Sequence, residues 1–241
     1  MFNIKEKFKF LEDGIDFPFY NDIPKLSTIE WAILVIAVVI FIILASIKGI
    51  PKIYHALRYF VVMTIPAIYI CKGNYSLFFK KPKLRDFKTI ILCFILYYIY
   101  SIGMGVILQF SGYPVANNAN SALNLNLMFF VSLFIQLVGE EFFKIFVLLI
   151  LMYIVYRFTN NRSLSMYTGI IGTLVAFGLI HSSAYSGRIL QILLIQGLGT
   201  IFNLYAYMKT KNFVVSYILH ILIDLSTFLL QTTNHMLIGE I

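Results

Sequence analysis

Three short runs in the C-terminal half of the chain hold side chains capable of acid–base chemistry. The first is QLVGEEFFKIFVLL, where Glu140, Glu141 and Lys144 stand together with no other charge within ten residues on either side. Glu140 and Lys144 are spaced i, i+4 with the glutamate first, the favoured orientation of a helical ion pair. That pairing leaves Glu141, about 100° round the helix, without a structural reason. Two adjacent carboxylates in a low dielectric resist ionising together, and a proton shared between them suits general-base chemistry. The second run, FGLIH, puts Phe177 and His181 on one helical face; a lone histidine in an apolar helix serves packing as readily as catalysis. The third, HILID, puts His220 and Asp224 at i, i+4. The carboxylate is then close enough to orient the imidazole, although a helix-packing hydrogen bond accounts for the pair equally well. His55 and His235 lie near segment ends and are expected to face headgroups or water.

These runs must be positioned by elements that live in lipid. The 241 residues are 60% hydrophobic and 12% charged, half the charge of an ordinary soluble domain. Apolar runs long enough to cross a bilayer fall at about 29–47, 53–71, 88–109, 123–156, 165–184, 189–208 and 213–231. The expected fold is all-α, a polytopic transmembrane helical bundle of about seven spans. A 28-residue tail (1–28) precedes N-terminal membrane helices (29–122) and a core (123–231) that holds the three runs; a short tail (232–241) follows. The fourth run is too long for one upright crossing and must tilt, bend or project. The second carries Tyr54, His55, Arg58 and Pro66 and is either a kinked span or an interfacial helix. The 23 Phe and 16 Tyr read as lipid-facing and interfacial side chains.

The formal charge of +8 gathers in short loops, most densely from Lys72 to Lys88. That is the positive-inside pattern rather than a nucleic-acid surface, which needs a basic groove interleaved with aromatics. With seven spans, 14 Lys and Arg fall inside and four (Lys48, Lys52, Arg58, Arg188) outside; if 53–71 does not cross, the split is 13 to five. Both arrangements put loop 72–88 inside and loop 110–122 and the C-terminus outside. Cys71 and Cys93 form neither a disulfide framework nor a CxxC metal site. The first apolar run follows a charged tail and reads as a retained span rather than a cleaved leader.

Charged groups inside a membrane cost about 2.5 kcal/mol or more each and collect in bundle interiors, so the three runs are expected to converge. Depth tests this. Glu140 lies 17 residues from Arg157, and His181 lies 19 from Arg162; both are about 25–29 Å deep at 1.5 Å per residue. His220 is nine residues from Lys211, only about 13 Å deep, a disagreement of about a dozen ångströms that tilt or a helix starting outside the bilayer could close.

EEFFK, FGLIH and HILID, in that order and each within a span, resemble the motifs of the CAAX-protease and bacteriocin-processing (Abi) family of intramembrane glutamate proteases, whose pattern is EExxxR, FxxxH and HxxxN, with Asp last in some bacterial members. The stretch QGLGTIFNLYAYMKTKNF is similar to the family's Gly- and Tyr-containing segment, and the resemblance covers roughly residues 135–225. It implies a helical bundle with a polar cavity opening toward the cytosol and no cofactor or metal. It also implies that Glu140 and His181 activate a water, Glu141 supports them, and His220 with Asp224 stabilises the oxyanion. Lys144 stands in for the arginine and loses its planar fork. Asp224 replaces the common asparagine and, when ionised, must act by orienting His220.

The function implied is an endopeptidase of a bacterial cell membrane acting on a small peptide precursor or membrane-associated protein, such as a bacteriocin or quorum-sensing propeptide. A non-catalytic immunity or scaffold protein would keep the same charges as packing glue. A zinc site built from Glu140, Glu141, His181, His220 and Asp224 lacks HExxH-type spacing, and a proton-coupled transporter lacks repeat symmetry. Substrate and oligomeric state are not written in the sequence.

Overall fold

The computed structural model describes residue 10 and residues 15–113, 115–116 and 125–238, without the side chains of 232–238. Seven long helices run up and down: α1 Thr28–Ser46, α2 Lys52–Cys71, α3 Leu84–Phe110, α4 Leu127–Thr159, α5 Arg162–Ile180, α6 Ile189–Thr210 and α7 Phe213–Ile238. All but α4 are long and apolar enough to cross a membrane by length and composition. α2 is among them, so the segment at 52–71 is a full helix with the length and composition of a span. The protein is a multi-pass integral membrane protein.

Local signals set the ends. Ser27 and Glu30 form a reciprocal capping box at α1: Ser27 N–H donates to Glu30 Oε2 at 2.6 Å, which satisfies a helix-start donor. Asn126 and Asn161 cap α4 and α5 through their side chains. α5 stops at Ile180, four residues before the apolar run ends; His181 caps it and a tight turn follows through Ser186 and Gly187, both at positive φ.

α4 is the axis. At 33 residues it is about 50 Å long, and its middle, from Gly139 to Ile150, is buried throughout. α2 and α5 pack on it most extensively. The α2 backbone comes so close that a Cβ at Gly139 would lie 2.6 Å from the Tyr59 carbonyl oxygen. α5 meets α6 equally closely at Gly178 and Gly197, where α6 contains a π turn over Ile192–Gly197; the Tyr100 hydroxyl donates to the Leu194 carbonyl in that turn at 2.5 Å.

Aromatics contribute more to this core than a lipid-facing reading allows. Phe41 stacks on Phe143, and Phe142 on Phe213, with ring centroids 4.7 and 4.4 Å apart. Phe17, Phe19, Phe78, Phe146 and Tyr207 are also fully buried. With little hydrophobic drive between helices in lipid, packing of this kind carries association.

Residues 15–27, just before α1, are not a loose tail. Phe17, Phe19 and Tyr20 close one end of the bundle. Asp16 accepts from Arg162 Nε and Nη2 at 2.8 and 2.6 Å and from the Tyr20 hydroxyl at 2.7 Å. Lys211, itself buried, donates to the carbonyls of Phe10 and Met208 beneath this cap. Phe213 N–H donates to the Phe78 carbonyl at 2.7 Å. His220 Nε2 comes within 3.8 Å of Glu140 Oε2, so the depth difference expected from residue counts does not keep the two apart.

Candidate active site

The EE pair of α4 splits into two environments. Glu141 and Lys144, three residues apart and almost fully buried, form an ion pair. Lys144 Nζ also donates to Asn203 Oδ1 of α6 and lies 3.3 Å from His220 Nδ1 of α7. Asn203 is fixed in turn by donating to the Ser216 carbonyl at 3.0 Å. His220 Nδ1 lies 2.8 Å from Glu141 Oε1. The ammonium thus ties α4 to α6 through Asn203, and Glu141 in turn ties the pair to His220 of α7; the Phe177 ring of α5 lies 4.8 Å from the ammonium.

This corrects the expected Glu140–Lys144 pair. Lys144 reaches the second glutamate, because i+3 and i+4 lie on the same side of a helix and Asn203 and His220 draw the ammonium to that side. The family pattern sets its basic residue four positions beyond the second glutamate, where this chain has Ile145. Lys144, one position earlier, is still on the Glu141 face.

Glu140 instead faces a cavity of about 580 Å³. Its Oε1 accepts from Gln136 Nε2 at 2.6 Å, and its Oε2 lies 3.8 Å from His220 Nε2. Asp224 Oδ1 is also 3.8 Å from that nitrogen, beyond hydrogen-bond range. The carboxylate that orients His220 is therefore Glu141, at Nδ1, and not Asp224 as the i, i+4 spacing predicts. The ring is turned toward α4, and Nε2 lies between Glu140 and Asp224, both of which line the cavity, while His220 itself is buried behind them.

His181, the C-cap of α5, lines the same cavity. Its ring packs on Phe177 at 4.7 Å, and its Nδ1 lies 2.8 Å from the Phe177 carbonyl. A carbonyl only accepts, so Nδ1 carries the proton and Nε2 keeps its lone pair in the neutral ring. Phe177 spans both histidines, 5.9 Å from His220.

All seven residues singled out by sequence thus converge: Glu141 and Lys144 in a sealed knot, Glu140, His181 and Asp224 on a cavity wall, and His220 and Phe177 between. Gln136 and Asn203 escaped notice, although a polar amide in a lipid span is the signal that marked the glutamates. His55 also lines the cavity, beside Tyr59, rather than facing headgroups; His235 lies outside the described side chains. Lys52 Nζ sits 3.6 Å from the Phe129 ring centroid at the cavity edge and has no hydrogen-bond partner among the described residues. Among the described residues no group of three His, Cys, Asp or Glu side chains is arranged to hold a metal ion.

Chemically, the arrangement offers a carboxylate and an imidazole lone pair on one polar space, with a second imidazole beside the carboxylate and a charged framework behind. Residues 122–226 match the family model for type II CAAX prenyl endopeptidase Rce1-like proteins, a span that takes in Glu140, Glu141, Lys144, Phe177, His181, His220 and Asp224 but not Lys52, His55 or Tyr59 of α2. Neither the curated proteins nor the solved structures contain a match to the chain. Over this segment the chain is similar to the CAAX-type membrane endopeptidases, and the match leaves the first 121 residues outside it.

Proposed function

We propose that this protein is an intramembrane endopeptidase that hydrolyses a peptide bond with a water activated by Glu140 and His181. The observation that carries the reading is the split of the EE pair. Glu141 is consumed by Lys144 and His220, whereas Glu140, beside it in sequence, is left on the cavity wall with Gln136 as its hydrogen-bond partner.

Glu140 and the Nε2 lone pair of His181 take the proton of a water as its oxygen attacks the peptide carbonyl. The proton then passes to the leaving amine. His220, as the imidazolium with Nδ1–H given to Glu141, donates from Nε2 beside Glu140 to the developing oxyanion, a contribution worth about 3–4 kcal/mol in comparable sites. Glu141 positions His220 by accepting from Nδ1–H, and Lys144 holds Glu141 in place. Asp224 borders the oxyanion position without orienting His220. A polar cavity of this size accommodates both the water and an extended peptide segment. The substrate class is a small peptide precursor or a membrane-associated protein segment, in a bacterial cell membrane.

The competing reading, a non-catalytic member held together by the same charges, draws on the completeness with which Glu141, Lys144, Asn203 and His220 satisfy one another. Peptide profiles of cells expressing wild type, Glu140→Gln and His181→Ala at matched protein levels separate the two. Fragments present only with wild type establish proteolysis; identical profiles with full biological function in all three establish the scaffold.

A further inference from the structure

The cavity opens at one end of the bundle. Its rim belongs to the α1–α2 loop (Lys48, Gly49), the turn after α5 (Ser183, Ala184) and the distal half of α7 (Phe228). Glu140 lies 13 residues from the first residue of α4 at that end and 17 from Arg157 at the other, about 20 and 25 Å. The opposite end is shut. There the aromatic cap of Phe17, Phe19 and Tyr20 lies over the bundle, Asp16 is locked to Arg162, and Lys211 is tied to the Phe10 carbonyl. The pocket at that end, between Lys80 and Asn212, holds only about 40 Å³.

The basic residues are distributed unequally between these ends. Among the described residues the closed end carries eleven: Lys25, six from Lys72 to Lys88, Arg157, Arg162, Lys209 and Lys211. The open end carries Lys48, Lys52, Arg58 and Arg188. Lys and Arg in short loops near span ends are retained in the cytosol, and the loops 72–83, 160–161 and 211–212 are all short. The imbalance therefore puts the closed end in the cytosol and the open end outside.

We infer that the Glu140–His181 cavity takes its substrate from the extracytoplasmic side, so that the peptide it receives is an exported peptide or an outward-facing segment of a membrane protein. This rests on the protease reading above and reverses the cytosolic opening that the family resemblance implies. An incoming chain passes Lys48 and Gly49 on one side and the Ser183–Ala184 turn on the other before it reaches Glu140.

Cysteine labelling of the full-length protein in a bacterial host tests this without requiring activity. Lys48→Cys lies at the cavity mouth and Ser76→Cys in the loop of the closed end; both positions are exposed, and the native Cys71 and Cys93 are buried. A membrane-impermeant maleimide is expected to label Lys48→Cys in intact cells at least tenfold more than Ser76→Cys, with Ser76→Cys reaching the same level after permeabilisation. Labelling of Ser76→Cys in intact cells at or above the Lys48→Cys level overturns the orientation. The substrate half is read from the fragments lost in Glu140→Gln cells. Fragments of exported or outward-facing segments support it, and fragments of cytosolic segments overturn it. An unchanged peptide profile with outward labelling removes the protease reading and its substrate while the orientation stands.

Discussion

Glu140 and Glu141 are neighbours in sequence and opposites in setting. Glu141 is met by an ammonium and an imidazole and seals three helices together. Glu140 keeps an oxygen turned to a cavity and is held there by Gln136. A buried charge serves as structure when its partners satisfy it, as Glu141's do; Glu140, held by Gln136 on a cavity wall, is the one proposed to act as the base. The pair teaches that burial of charge does not by itself identify chemistry: the two side chains are almost equally buried, and what they face distinguishes them.

The largest expected effect separates the two glutamates. Glu140→Gln keeps shape and packing but removes the base, and peptide hydrolysis should fall about 10²–10⁴-fold with a near wild-type melting temperature in detergent. Full activity in that variant would assign the chemistry elsewhere. The mirror-image change is Lys144→Met. Removing one member of a buried pair typically costs about 3–5 kcal/mol, so thermal unfolding should shift down strongly, whatever the activity assay shows; an unchanged melting temperature would mean the knot is not structural.

Gly139 sharpens the comparison from the backbone side. A Cβ there must displace the α2 carbonyl at Tyr59, so Gly139→Ala should cost about 1–3 kcal/mol of stability and loosen the cavity wall. Gln136→Leu should leave folding intact and lower activity roughly tenfold, since one hydrogen bond to a charged group is worth about 1.5–3 kcal/mol and only part of it is spent on aiming Glu140.

The smallest effect lies far from both glutamates, in the cap. Burial works against ionised Asp16, but Arg162, Tyr20 and the Phe17 N–H outweigh it and hold its carboxyl below the usual range. A depressed folded-state value adds stability above the unfolded value of about 3.9 that is lost as pH falls through the folded one. Melting curves should show that acid-side loss in wild type and a smaller one in Asp16→Asn.

Much of the fold was legible because lipid imposes it. Six of the seven helices match apolar runs to within a few residues at most ends, and the three motif runs stood out because charge is scarce in spans. The pairing within the site was not legible. Periodicity assigns Lys144 to the faces of both Glu140 and Glu141, and Asn203 and His220, which decide between them, come from helices 59 and 76 positions away. Likewise, i, i+4 spacing brings Asp224 near His220 without saying which way the ring turns. The cap formed by Phe17 to Tyr20 was missed for a related reason: a mixed, charged stretch carries no period, and its burial depends wholly on what it covers.

The most direct test of the account measures Glu140→Gln and Glu141→Gln side by side, each for melting temperature in detergent and for the peptide fragments released in cells. The account predicts that Glu140→Gln melts like wild type and releases none of the wild-type fragments, while Glu141→Gln melts markedly lower. If Glu141→Gln is as stable as wild type, or Glu140→Gln still releases the fragments, the division of labour between the two glutamates is contradicted.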